Sequence, residues 1–144
     1  MSFLFVTNPF DASSVGKVKL SSESEVEAAL SIAEKTHRNN KKGLPKYERA
    51  AILKKAAEIM KGRATELALL IASEGGKPLV DAKVEVERAI DGVETCASEI
   101  ANNSGSEVPM DLTPAGEGKM AFTIKEPIGP VVAISAFNHP LNLI

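Results

Sequence analysis

Val131-Val132-Ala133-Ile134-Ser135-Ala136-Phe137 is a run with a single hydroxyl and otherwise only apolar side chains. It is too short for an ordinary helix and has no alternating polar face. Such a run suits a strand covered on both sides, as in a parallel α/β sheet. Pro127-Ile128-Gly129-Pro130 forces a turn before it, and Pro140 can open a helix whose first turn is Leu141-Asn142-Leu143-Ile144. A parallel strand needs neighbours reached by long crossovers, and none follows in this sequence. The expectation is therefore a working protein that continues past Ile144. The alternative is a chain that ends in an apolar turn packed on its own core.

Upstream the period is different. Residues 3–20 read as two short strands around a turn. Asn8-Pro9 and Gly16 break the run, and Lys17-Val18-Lys19-Leu20 alternates polar and apolar. Ser22 and Glu25 fit a capping box, and Val26, Ala29, Leu30 and Ala33 then share a helix face. That helix fades near Arg38, because Asn39-Asn40-Lys41-Lys42-Gly43 offers no apolar stripe. Pro45 suits the first turn of a second helix carrying Ile52, Leu53, Ala56, Ile59 and Met60. Gly62 marks a break, the stripe resumes at Leu67, Leu70 and Ile71, and Gly75-Gly76 ends it. From Pro78 a further helix presents Val80, Val84, Ile90, Val93, Ala97 and Ile100, and Asn102-Asn103-Ser104-Gly105 stops it. Residues 105–118 read as a loop. Met120, Phe122 and Ile124 alternate with polar or small residues, as in a half-buried strand.

Composition narrows the functional classes. Hydrophobic residues make up 44% and charged residues 25%, the ordinary balance of a chain that builds a core. A formal net charge of -2 favours neither nucleic acid nor an anionic membrane surface. One cysteine allows no intrachain disulfide, and two histidines without a CxxC spacing give no support for a metal site. The apolar start Phe3-Leu4-Phe5-Val6 is too short for a signal-peptide core, so a soluble cytoplasmic protein is the default expectation. There is no G-x-G-x-x-G, no P-loop and no G-x-S-x-G.

Asn138 is the leading candidate for chemistry. It lies just past the carboxyl end of the expected strand, where open α/β sheets bind ligands. A carboxamide there can donate N–H to an oxygen that gains negative charge, and it does not titrate. The competing reading is a turn asparagine capping the helix at Pro140. Cys96 sits mid-helix near Glu94 and Glu99, where packing is the expected role, since acidic neighbours disfavour a thiolate. His37 reads as a solvated or capping histidine, and His139 draws interest only as the neighbour of Asn138. Glu85 and Glu87 read as members of a solvated helix face.

Three segments carry a resemblance. Glu126-Pro127-Ile128-Gly129-Pro130-Val131-Val132-Ala133-Ile134-Ser135-Ala136-Phe137-Asn138-His139-Pro140-Leu141 resembles the E-P-x-G-x-V-x-x-I-x-P-W-N-x-P-L stretch of the aldehyde dehydrogenase superfamily. Glu74-Gly75-Gly76-Lys77-Pro78, with Ala82 and Glu85-Val86, is similar to its E-x-G-K-P-x-x-x-A-x-x-E-V junction, and Asn8-Pro9 with Gly16 to its opening N-P-x-x-G. Ala136-Phe137 replaces the usual Pro-Trp, which keeps an aromatic wall and loses the indole donor.

The resemblance implies an α/β fold, the N-terminal part of an aldehyde dehydrogenase. Residues 1–21 and 119–129 would be strands of an oligomerisation arm. Residues 22–118 would be the helical part of the cofactor domain, and residues 130–144 its first strand and helix start. It also implies an oxidoreductase that converts an aldehyde to a carboxylic acid with NAD or NADP, through a cysteine thiohemiacetal. Asn138 would stabilise the oxyanion, and Ile134, Ser135, Ala136, Phe137 and Asn138 would line the cofactor side. No metal is implied, and the partners would be an aldehyde and further copies of the chain in a dimer or tetramer. The nucleophile and the phosphate-binding turn lie downstream in the family, and Cys96 matches neither, so this chain alone would be inactive. The alternative is a stand-alone, non-catalytic interaction module.

Overall fold

Four helices form where the sequence has its helical period: α1 (Glu23–Asn39), α2 (Lys46–Gly62), α3 (Ala64–Gly75) and α4 (Leu79–Asn102). The computed structural model describes residues 2–40 and 43–144. Met1, at the head of the expected arm, and Lys41 and Lys42, in the expected stop after α1, lie outside the described residues. Among the described residues the strands form two antiparallel pairs. β1 (Ser2–Thr7) pairs with β2 (Ser14–Leu20), and β3 (Glu107–Val108) with β4 (Ala121–Phe122). The chain is α/β, with its apolar core among the helices.

Local chemistry sets most of the boundaries. The Asn8 N–H donates to Ser13 O across the hairpin turn, while Asn8 Oδ1 accepts from the Phe10 N–H. Gly16 does not break the second strand; it lies inside β2 opposite Val6, and the irregularity falls at Val6/Thr7. At α1 the Glu25 N–H donates to Ser22 Oγ and the Ser22 N–H to Glu25 Oε2, closing the capping box. Lys19 also pairs with Glu25, which ties the hairpin to the helix start. The break expected at Gly62 falls there: α2 ends at Gly62, and the Arg63 N–H is shared between Ile59 O and Met60 O. α3 ends as expected, with Gly76 in the left-handed region at φ 66°. Pro9 from the hairpin turn packs over that glycine. Pro78 then caps α4.

The core lies where α4 crosses α2 and α3. Ala57, Ala68, Ile71, Ala82, Val86 and Ile90 are buried together, with Met60, Leu67, Val93 and Leu141 packed against them. Alanine at the crossing points lets the helix axes approach closely. The buried face of α4 therefore runs Ala82, Glu85, Val86, Ala89, Ile90 and Ala97. Val80 and Val84, expected on this face, point to solvent instead. On α2 the buried position is Ala57, whereas Ile52 and Ile59 are exposed. Cys96, expected to pack, is exposed on α4, one residue before buried Ala97. α1 has no buried residue; of its expected apolar face only Ala33 is half-buried. Local capping and the Arg38–Glu34 pair, rather than packing, account for that helix.

Three expectations about strands are corrected. Residues 105–118 are not wholly loop, because Glu107 and Val108 pair with Phe122 and Ala121. Gly105 lets the two segments close: a Cβ there would sit 1.6 Å from Thr123 O. Met120, Phe122 and Ile124 are exposed and not half-buried, since no layer covers that short ladder. The run Val131–Phe137 forms no strand, and Val131 and Phe137 are 78% and 94% exposed. A strand acquires its hydrogen bonds from neighbours, and the strands of the two ladders are already paired with each other. At Pro140, where a helix is expected to open, a single turn forms, closed by the Leu143 N–H donating to His139 O at 3.1 Å.

Two glycines test this reading with opposite signs. Gly76→Ala places a Cβ on a left-handed residue and 3.4 Å from Pro9, so it should cost about 1–2 kcal/mol. Gly92→Ala, in α4 with open space around it, should stabilise by roughly 1 kcal/mol. Denaturant midpoints of both variants check this, and a shift of the same sign at both positions contradicts it.

Candidate functional site

A cleft of about 580 Å³ opens between Val6 of β1, the end of α3 at Ile71, Glu74 and Gly75, and the segment from Ser135 to Pro140. That volume lies within the usual range of small-molecule sites. Its floor is set by one buried ion pair. Lys77, the joint between Gly76 and the Pro78 cap, reaches Glu85 Oε2 at 2.6 Å. The Glu85 side chain is fully buried two turns into α4, and Lys77 is largely buried.

The rest of each group's bonding capacity goes to the turn that carries Asn138. Lys77 Nζ donates to Asn138 O at 2.8 Å and lies 3.2 Å from His139 Nδ1. An ammonium has three hydrogens and no acceptor, so with Glu85 the three are used. His139 Nδ1 also lies 3.5 Å from Glu85 Oε2, so the ring sits beside both members of the pair. On the other side, Glu85 Oε1 accepts from the Leu141 N–H at 2.9 Å and the Asn142 N–H at 3.4 Å. Ser135 Oγ closes the loop by donating to Pro140 O at 2.7 Å. Burial pushes the Glu85 carboxyl up, but the Lys77 hydrogen bond and the two backbone N–H donors outweigh it and hold the group below the usual carboxylate range.

Ser135, Ala136, Phe137 and Asn138 come together on one wall of the cleft. Ile134 does not line it and is exposed outside. Asn138 does not cap the following turn, since the free N–H groups there go to Glu85. Its main chain is held while its side chain stays exposed at the cleft.

Lys77 and Glu85 were missed as site residues, and the expected solvated position of Glu85 is wrong. The signal was present in the spacing. Glu85 falls three residues after Ala82 and four before Ala89, on the apolar stripe itself. A carboxylate on that stripe demands a buried cation.

Glu85→Ala should strand a buried ammonium and two N–H groups and cost about 3–5 kcal/mol. Because the folded pKa of Glu85 is lowered, its contribution is complete above the ordinary glutamate value. It is lost as pH falls through the folded value. Unfolding free energies at pH 7 and pH 3 should therefore converge between the parent and Glu85→Gln on acidification. Parallel pH slopes for the two proteins would contradict the assigned protonation.

The sequence pattern of the aldehyde dehydrogenase family matches residues 2–144. A 3-sulfolactaldehyde dehydrogenase of Priestia aryabhattai is 34% identical over 139 residues, covering 96% of this chain and 28% of the relative. A lactaldehyde dehydrogenase of Methanocaldococcus jannaschii is 36% identical over 138 residues, again 96% of this chain and 28% of the relative. Aldehyde dehydrogenase 21 of Physcomitrella patens, solved with the reaction product succinate, superposes with a TM-score of 0.92 at 33% identity, over 99% of this chain and 29% of that one. The NADP-dependent glyceraldehyde-3-phosphate dehydrogenase of Bacillus halodurans, solved with NADP, gives 0.89 at 30% identity, over 99% of this chain and 30% of that one. The chain thus spans under a third of the length of these relatives. By sequence pattern and by fold, it belongs to the aldehyde dehydrogenase family.

Proposed function

We propose that this chain is the N-terminal portion of an NAD- or NADP-dependent aldehyde dehydrogenase, in which Asn138 steadies the oxyanion formed when a cysteine attacks the aldehyde. The observation that carries this reading is the state of Asn138. Its carbonyl is held by Lys77 and the neighbouring turn is capped by Glu85, so the carboxamide remains available at the cleft mouth. A neutral N–H donor there, carried on a main chain that is held in place, would stabilise developing charge.

The residues present suit one end of the cofactor. The apolar wall of Ala136 and Phe137 suits the flat face of a nicotinamide. When bound, NAD or NADP supplies the acceptor for hydride. The cleft's cation, Lys77, is already saturated and there is no glycine-rich phosphate loop, so the phosphates would be held elsewhere in the longer family chain. The nucleophile would come from there too, because Cys96 does not line the cleft. Relatives solved with NADP support the cofactor class.

The remaining assignments follow the family. Residues 1–21 and 119–129 act as arm strands in a homo-oligomer, a dimer or tetramer. The exposed Leu4, Phe5 and Phe122 support this. Residues 22–118 are the helical part of the cofactor domain. Residues 130–144 become its first strand and helix start once other strands cover Val131–Phe137. No described helix is long and apolar enough to cross a membrane, which fits a cytoplasmic enzyme.

In the full-length protein, Asn138→Ala should lower kcat by roughly 10²–10³-fold with little change in cofactor Kd. Unchanged turnover would remove the assigned role. The isolated 144-residue chain should oxidise no aldehyde, as read by the absorbance of the reduced nicotinamide cofactor. Measurable turnover by that chain would contradict a nucleophile supplied from elsewhere.

A further inference from the structure

We propose that Lys77 is a positioning residue for Asn138, holding the backbone from which the carboxamide projects through the three contacts of a single nitrogen. The proposal rests on the reading of Asn138 given above. Lys77 Nζ holds the Asn138 carbonyl at 2.8 Å, the adjoining His139 ring at 3.2 Å and Glu85 at 2.6 Å. Two of these contacts fall on consecutive residues of the turn, so one atom holds both the Asn138 carbonyl and the ring of the residue that follows it. The third anchors the nitrogen to α4 inside the core.

The lysine itself has little freedom to move. It is a one-residue joint between left-handed Gly76, which ends α3, and Pro78, which caps α4. Its stem is therefore aimed by two rigid helices. Glu85 completes the device from the far side by taking the Leu141 and Asn142 N–H groups, which leaves the Asn138 side chain with no capping duty. A simple ion pair would need neither the contact to Asn138 O nor the one to His139. A planar guanidinium could preserve the charge at this place, but it spreads its donors over a fork and cannot reach the same three acceptors from one atom.

The test is a double-mutant cycle in the full-length enzyme, with kcat and aldehyde KM measured for Lys77→Arg, Asn138→Ala and the pair. Lys77→Arg should keep the protein folded and lower kcat about tenfold or more, while KM moves by less than about twofold. In the Asn138→Ala background the same substitution should change kcat by less than about twofold, because its target is already gone. Full kcat in Lys77→Arg, or equal losses in both backgrounds, overturns the positioning role and leaves the reading of Asn138 intact. Unchanged kcat in Asn138→Ala alone overturns that reading and this proposal with it. If Lys77→Arg does not fold, the Lys77→Gln/Glu85→Gln pair enters the same cycle, since it removes both charges together and strands no buried ion.

Discussion

A carboxylate inside an apolar core must be neutralised or matched, and here it is matched. Glu85 is buried among the alanines of the helix crossing, and Lys77 meets it from the joint between α3 and α4. The pair does more than cancel charge. Each partner has hydrogen-bonding capacity left over, and both direct it to the segment 138–142. The result is a connection between three parts of the chain with no regular element in common: a helix interior, a helix junction and a turn near the end of the sequence. Without it, only the packing of Leu141 on the core would join that segment to the helical wall of the cleft.

The hairpin completes the cleft from the other side. Pro9 rests over Gly76, the residue whose left-handed backbone permits the sharp passage into Lys77 and Pro78. One small residue therefore serves two purposes. It lets the chain turn tightly enough to deliver Lys77, and it leaves room for the hairpin turn to pack. Val6 enters the cleft wall as a consequence. The residues that form the wall and those that fix it come from both ends of the chain, which is why the site is read from the fold and not from one motif.

Local signals in the sequence were read well where a side chain acts on its own backbone. The Ser22–Glu25 capping box, the end of α2 at Gly62 and the left-handed stop at Gly76 each depend on residues within one turn. The register of α4 was read less well. Size and apolarity favour Val80 and Val84 as inward positions, and charge favours Glu85 as an outward one. The structure reverses both. The buried face of α4 is set by its register against α2 and α3, which takes in Val86 and leaves Val80 and Val84 outside, and a charge can be buried on it because its partner lies only eight residues back. The strand expected at Val131–Phe137 failed for a different reason. Composition fits a residue run for burial, but ladder hydrogen bonds come from other strands, and these residues have none.

By itself, then, the sequence determined the helices, their stops, the hairpin and Asn138 as the residue of interest, because capping, periodicity and turn chemistry act over a few residues. It also carried the family resemblance, which depends on residue order alone. Tertiary structure decided which face of α4 is buried, that Glu85 and Lys77 hold the Asn138 turn, and that Ile134 stands outside the cleft while Ser135 to Asn138 line it. Those outcomes depend on distances between segments far apart in the chain, and such distances exist only once the helices have packed.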